Sequence, residues 1–484
     1  MKKLFTFLLL MAASLQSFSQ VTWGTPVTVT TAMGSNLHPR IKLNRSGAPY
    51  ILWGQTDTRA YLSKWNGTGF TTPVVPSGSL TIFAQTWAGP DLAAFGDTVY
   101  VSMKVTPEMT TTNYTYLAHS YNGGTSFSAP VRIDNIGYNV SRFPIVTTTA
   151  SGNPLVSFMK FDSGTMMNAR YVVSRSSDYG MTFSIDTLAS KSANPVCDCC
   201  PGTIISSGSN AIMLYRDNAS NIRDMWASIS NNGGLTFNTA NKIAVDNNNW
   251  MISSCPSSGP GGIAIGDSIY TVFMSKGTGT SLVYLSRSSI SGLSSSTAAI
   301  TGMFTGLNSQ NYPRIANAGN AATAVWVQNT SSGISVVSSF ANNISSGFAG
   351  YTAVTGATGS GIMNADVAMT PGAIHIVWED DNTGKIMYIK GTYTVPSSVP
   401  QLASKQMIEV YPNPADDNFT ITLNNISTIS NCYLTDNAGR NIGLTPVIKN
   451  GKAIFSLTGI AKGGYYFVMN DDAGKIYYSK LIVQ

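Results

Sequence analysis

Charge is scarce in this chain: Asp, Glu, Lys and Arg together make up 11% of its 484 residues, less than half of the roughly 25% usual in globular proteins. Helices lean on Glu, Lys, Ala and Leu, so a chain rich instead in Gly, Ser, Thr, Asn and aromatics favours strands joined by tight turns. The net charge of +6 is thinly spread, with no run of lysines or arginines. That excludes the basic footprint of a nucleic-acid partner. Past Gln20 no stretch approaches the roughly 20 apolar residues of a membrane helix, so no transmembrane segment is expected. Cysteine is also rare, five in all, yet three of them crowd into NPVCDCCPGT, residues 194–203.

The N-terminus, MKKLFTFLLLMAASLQSFSQ, has two lysines, a short apolar core and small or polar residues before Val21. This is the pattern of a secretory signal peptide over residues 1–20. The mature chain is therefore expected outside the cytoplasm, where disulfides can persist.

What the chain has in abundance is internal repetition. SYNGGTSF (120–127), SSDYGMTF (176–183) and SNNGGLTF (230–237) superpose on Ser-x-Asp/Asn-x-Gly-x-Ser/Thr-Phe, at a period of roughly 55 residues. Weaker copies end at Phe70, Leu293 and Phe348. Each is a hairpin turn in which Asp or Asn binds its own backbone, Gly takes a positive φ and Phe packs beneath. A second signal runs out of phase: a proline, a short apolar alternation, a Gly-containing turn and a β-rich strand. It recurs in seven units, from HPRIKLNRSGAPYILW to NADVAMTPGAIHIVW, with Ala365 replacing the proline in the last. Four antiparallel strands per unit make an all-β fold, a seven-bladed β-propeller with six blades as the alternative. VTWGTPVTV, near Val21, matches an outermost strand without a blade of its own. It is expected to complete the seventh blade.

The boxes, with Ser176, Asp178, Gly180, Thr182 and Phe183 as the best copy, resemble the Asp-box or BNR repeats of the sialidase superfamily over about residues 21–395. The resemblance implies a propeller that binds, and in the hydrolases processes, an extracellular glycan or other polymer. Sialidases hold the substrate carboxylate with three arginines and use a Tyr nucleophile, a Glu and an Asp. Their early Arg-Ile-Pro motif is absent here; HPRI presents Arg40 in reversed context, and no Tyr-Glu pair can be assigned.

Strand order places the loops leading into the first strands on one face and the boxes on the other. The leading-loop face is therefore the expected site. The residues after the leading prolines or their equivalent include Arg40, Asp91, Arg314 and Asp366, charges of alternating sign brought side by side by ring closure. Asp91, Asp366 and Glu379 are the candidate catalytic carboxylates. Arg40, Arg314, Arg216, Arg223, Asp217 and Asp224 are the candidate substrate-binding residues, since arginine grips carboxylates bidentately. Asp162, Asp380 and Asp381 are further rim candidates.

Cys197, Cys199 and Cys200 end the loop leading to the fourth blade and Cys255 the loop leading to the fifth. Two readings stay open. In an exported protein the four make two disulfides, one of them bridging blades; alternatively their thiolates, with His38, Met33 and Met251 nearby, hold copper or zinc.

After a Pro/Ser-rich linker, residues 396–407, the composition changes. Tyr411-Pro-Asn-Pro-Ala415, the Asp436–Arg440 turn, Gly464-Tyr465 and the terminal strand from Lys480 resemble the sorting domain of the Bacteroidetes type IX secretion system. The resemblance implies a small C-terminal β-sandwich over 408–484 whose partner is the type IX machinery, and a secreted or cell-surface protein. Cys432, inside it, is expected to be a buried unpaired thiol.

Overall fold

A computed structural model describes residues 21–30, 34–55, 58–135, 140–162, 167–300, 309–330, 332–395, 406–423, 429–436, 440–471 and 476–484. The expected signal peptide, residues 1–20, as well as Met33 and residues 396–405 of the expected linker, lies outside the described residues. The chain divides into two compact units, Met1–Val395 and Pro396–Gln484.

The first unit is all-β, with seven antiparallel sheets among the described residues. The fourth is representative: Thr203–Ser207, Asn210–Arg216, Met225–Ser230 and Lys242–Ala244 pair in chain order. Second strands such as Asn210–Arg216 and Ala373–Asp380 are buried along almost their whole length, because sheets pack against both of their faces. A short continuous apolar run is the sequence mark of such a strand.

First strands lie beside first strands of the next sheet: Asn36–Leu43, Asp91–Phe95, Val140–Thr148, Thr203–Ser207, Gly261–Ile265, Gln310–Ala318, Ile362–Thr370, and then Asn36–Leu43 again. The N-terminal strands Thr22–Trp23 and Val27–Thr28 pair with Lys385–Thr392, Thr22 opposite Thr392 and Val27 opposite Tyr388. The two ends of the unit thus share one sheet, as the unit-less N-terminal strand implied.

The boxes close as their chemistry requires. In the best copy, Ser176 Oγ accepts from Gly180 N at 2.8 Å and donates to Asp178 at 2.7 Å, while Thr182 N and Oγ1 donate to the same carboxylate at 2.9 and 2.6 Å. Ser120 with Asn122, and Ser230 with Asn232, repeat the pattern. Gly180 sits at φ +92, a conformation costly to any residue with a Cβ. These donors hold the Asp178 carboxyl down at about 2. In the degenerate copy ending at Leu293 the missing acid is borrowed, since Asp267 accepts from Ser289 Oγ and Ser291 N. Asp178→Ala is expected to destabilise the protein by about 1 kcal/mol in urea unfolding at neutral pH, the net value of one well-made side-chain turn. An unchanged midpoint would mean that backbone bonds alone hold the box.

The leading prolines have a structural cause. In four first strands the register shifts just before the site residue, between Leu37/Arg40, Arg142/Ile145, Asn311/Arg314 and Met363/Ala365. The bulged residues His38, Phe143, Tyr312 and Asn364 all have positive φ. Three of them precede a proline, which has no N–H to lose at an unpaired position.

The second unit has a five-stranded sheet, ordered Gln406–Met407, Ile476–Val483, Gly463–Asp471, Ile429–Thr435 and Asn441–Gly443, and a three-stranded one, Asn418–Thr422, Lys452–Ser456 and Pro446–Lys449. Gln406 and Met407, assigned to the linker by composition, belong to this unit and pair in parallel with Tyr477 and Tyr478. Phe419, Phe455 and Phe467 pack ring to ring at 4.9–5.0 Å in its core. Cys432 is buried and free, donating to the Leu444 carbonyl.

Candidate functional site

The bulges aim alternate first-strand residues at the axis of the first unit. Arg40 Nε lies 3.6 Å from Asp91, and both Arg40 and Arg314 line the same two cavities. Asp91 accepts from Val146 N at 2.9 Å, and Asp366 accepts from Ile41 N at 3.0 Å. Each carboxylate therefore ties its own first strand to that of the next sheet. The four predicted residues Arg314, Asp366, Arg40 and Asp91 do converge.

The cavities differ in size and direction. On the leading-loop side, His38, Gly89, Phe143 and Pro201 leave only about 30 Å³, room for a single water. On the other side a cavity of about 300 Å³ runs from Arg40 to Lys42, Asp91 to Ala94 and Ile145 to Thr148. It extends toward the turns joining first to second strands, where the boxes also lie: Gly123 N donates to Asp97 O, and Gly233 N to Ser209 O. The larger space is thus on the box side of the arginines, opposite to the expected face. The bulged residues and leading loops plug the other end.

Arg314 is half-buried and has no ion pair or side-chain hydrogen bond among the described residues. Arg40, by contrast, donates to the Pro39 carbonyl at 2.8 Å and to His38 Nε2 at 2.6 Å. Burial first, and then the neighbouring Arg314 charge, bring the Arg40 guanidinium down to about 10, still charged at neutral pH. His38 is buried and neutral, its pKa lowered by burial and by Arg40 and Arg314. Its Nδ1 faces the Thr86 carbonyl at 3.1 Å, so the Nδ1–H tautomer satisfies both ring nitrogens.

Glu379 is fully buried and lines neither cavity. It accepts from His38 N and Thr86 Oγ1, each at 2.7 Å, and burial pushes it up to about 8. It braces the bulge that carries Arg40. Thr86 and the bulged Asn364 complete this network; the unusual φ of Asn364 has no signature in a sequence where alanine stands in the proline position.

The remaining candidates lie elsewhere. Arg216 is fully buried and donates to the carbonyls of Arg223 and Met274 at 2.7 Å, so it cannot meet a ligand at a mouth. Arg223 donates to Cys197 Sγ at 2.9 Å. Asp217 accepts from Asn218 N and Asn194, and Asp224 from Asn249 N and Trp250 N, so both fasten loop backbone. Of the rim candidates, Asp162 lies 3.7 Å from Arg170, and Asp380 accepts from Asn382 N. Asp381 acts electrostatically on Glu379. A buried pair missed in the sequence, Arg142 with Glu108 at 2.7 Å, holds the loop of Asp198 through its carbonyl.

All five cysteines are free thiols, in place of the two expected disulfides. Cys197 Sγ lies 2.8 Å from Cys200 Sγ and 3.5 Å from Cys199 Sγ; those hydrogen bonds first, then Arg216 and Arg223, lower the Cys197 thiol. Cys255 is exposed, and His38 belongs to the Arg40 network instead of a metal group. Met251 is exposed as well.

Residues 409–484 match the family described as secretion system C-terminal sorting domain. No curated protein matches the chain. Among solved structures, an ulvan lyase of a new polysaccharide lyase family, bound to -[GlcA(1-4)Rha3S]-, is 11% identical with a TM-score of 0.50, covering 76% of this chain and 96% of that one. A protein of unknown function from Dyadobacter fermentans is 10% identical (TM-score 0.48; 77% and 99% covered), and Trypanosoma rangeli sialidase 12% identical (0.44; 96% and 90%). At these identities the likeness is one of fold. The chain therefore joins an all-β unit of propeller-like fold, carrying the box turns, to a type IX sorting domain that sends it to the cell surface or beyond.

Proposed function

We propose that the mature protein is a surface-delivered seven-bladed propeller, residues 21–395, joined by a linker, 396–405, to a sorting β-sandwich that begins at Gln406, and that it binds an acidic extracellular polysaccharide in the cavity beside Arg314. The observation that carries this reading is an arginine with no partner of its own among the described residues, beside a cavity of about 300 Å³, at the lower end of the ~300–1,000 Å³ usual for ligand sites. Three cations, Arg40, Lys42 and Arg314, line it against two carboxylates, Asp91 and Asp366, a surplus of one positive charge. A uronate or sulfate group satisfies Arg314 bidentately.

Binding without turnover fits the carboxylates. Glycoside hydrolysis needs an acid and a base or nucleophile facing the bond, whereas Asp91 and Asp366 are tied to backbone N–H groups and Glu379 is sealed behind His38. The test is calorimetric titration of the full chain with a uronic-acid polymer and with a neutral glucan, with product analysis of the same mixtures. Affinity for the acidic polymer alone, with no new chain ends, is expected. Equal affinity for both polymers overturns the ligand class, and cleavage overturns binding as the function.

A further inference from the structure

The cysteine loop carries a site the channel does not use. Cys197, Cys199 and Cys200 are buried, and their Sγ atoms lie within 4.8 Å of one another. Cys199 Sγ belongs to a second group of the same compactness with Cys255 Sγ and an Asp198 carboxylate oxygen. The loop is held from several sides: Cys197 N donates to Arg216 O, Cys200 N to Cys197 O, and Tyr171 Oη to Cys200 O at 2.7 Å. Cys255 comes from the loop before the next sheet, so the sulfurs join two successive sheets.

The surrounding charge is unusual for neutral thiols. Arg223 points Nη1 at Cys197 Sγ from 2.9 Å, with Asp198 3.9 Å away. Arg216 is fully buried, bound only to carbonyls, with no carboxylate within ion-pair distance among the described residues. Buried guanidiniums need a compensating anion. Zinc(II) with four thiolates and copper(I) with three both carry a net charge of −2, the opposite of Arg216 and Arg223 together.

We propose that Cys197, Cys199 and Cys200 form a thiolate site for a thiophilic d¹⁰ cation, copper(I) on these three sulfurs or zinc(II) with Cys255 as the fourth. Each thiol releases its proton to solvent on binding, and no sulfur changes oxidation state. Coordination at about 2.3 Å sets tetrahedral sulfurs roughly 3.8 Å apart. The 3.5 Å separation of Cys197 and Cys199 is close to this, and Cys200 moves away from Cys197 by roughly 1 Å. The exposed Cys255 is the side from which the ion arrives.

The experiment reduces the full chain, reconstitutes it with Zn²⁺ or Cu⁺ and reads stoichiometry by native mass spectrometry, with Co²⁺ as an optical probe of thiolate ligation. One bound ion per chain is expected. Cys199→Ser, which removes the sulfur common to both groups, should lower affinity at least about 10-fold, and Cys432→Ser should leave it unchanged. Cys255→Ser should weaken zinc and spare copper(I). Should Cys199→Ser fail to fold, alkylation of the wild-type chain decides, with metal shielding Cys197, Cys199 and Cys200 from reagent. No retained ion, equal retention by folded Cys199→Ser, or reagent access undiminished by metal overturns the proposal. So does an exported protein whose four propeller cysteines are linked as Cys197–Cys200 and Cys199–Cys255 disulfides and exclude metal.

Discussion

Replacing Arg314 with alanine is expected to lower the affinity of the full chain for an acidic polysaccharide about 10- to 100-fold while leaving its unfolding midpoint nearly unchanged. A hydrogen bond to a charged group is worth roughly 1.5–3 kcal/mol, and each 1.4 kcal/mol is about tenfold in affinity. The stability half follows from the absence of native partners among the described residues. Arg40→Ala should behave differently. That side chain bonds His38 and lies against Asp91, so its loss exposes a buried imidazole and a carboxylate to unmet demand, and both affinity and stability should fall. Calorimetry and thermal melts on the two variants separate the cases. Unchanged affinity in Arg314→Ala would remove the cavity from the function.

Glu379→Gln is expected to abolish much of the loss of stability that the wild-type protein shows between about pH 5 and pH 8. Burial raises this carboxyl from 4.5 to about 8, while the unfolded chain titrates it near 4.5. Between those values the folded protein holds a proton that the unfolded chain has released. The contribution is therefore intact below 4.5 and is lost as pH rises through 8, a few kcal/mol at about 1.4 kcal/mol per pH unit. Glutamine cannot ionise. Groups around the site titrate as well: His38, kept neutral by burial, contributes in the opposite sense near 6.5, and Asp381, Arg40 and Tyr312 add their fields. The difference between wild type and variant isolates Glu379. Urea unfolding at pH 5 and pH 9 measures it, and parallel losses in both proteins would refute the buried, raised acid.

Legibility in this chain follows the range of the interaction. The Asp boxes were readable because Ser176, Asp178, Gly180 and Thr182 satisfy one another within seven residues. The leading prolines were readable for a similar reason, since a bulged strand tolerates a residue without an N–H. The order of charges around the axis followed from repeat phase alone, so Arg40, Asp91, Arg314 and Asp366 could be brought together from sequence. Which side of them is open could not. That depends on how far His38, Phe143 and Pro201 fill the axis, a matter of side-chain volume from three different sheets. Arg216 and Arg223 misled for the same reason. A polar loop after a second strand reads as surface, yet the next sheet's Met274 and Ser258 carbonyls close over Arg216.

The sequence by itself determined the all-β repeat, the strand that joins the two ends of the propeller, the crowding of cysteines and the sorting domain, because turn chemistry, strand period and terminal motifs are local. Only the tertiary structure decided that Arg314 has no partner among the described residues while Arg40 is bound, that Glu379 is sealed away, and that three thiols meet under two buried guanidiniums. Each of those facts depends on partners from different strands and sheets, and on the burial that turns an ordinary charge into one that needs an answer.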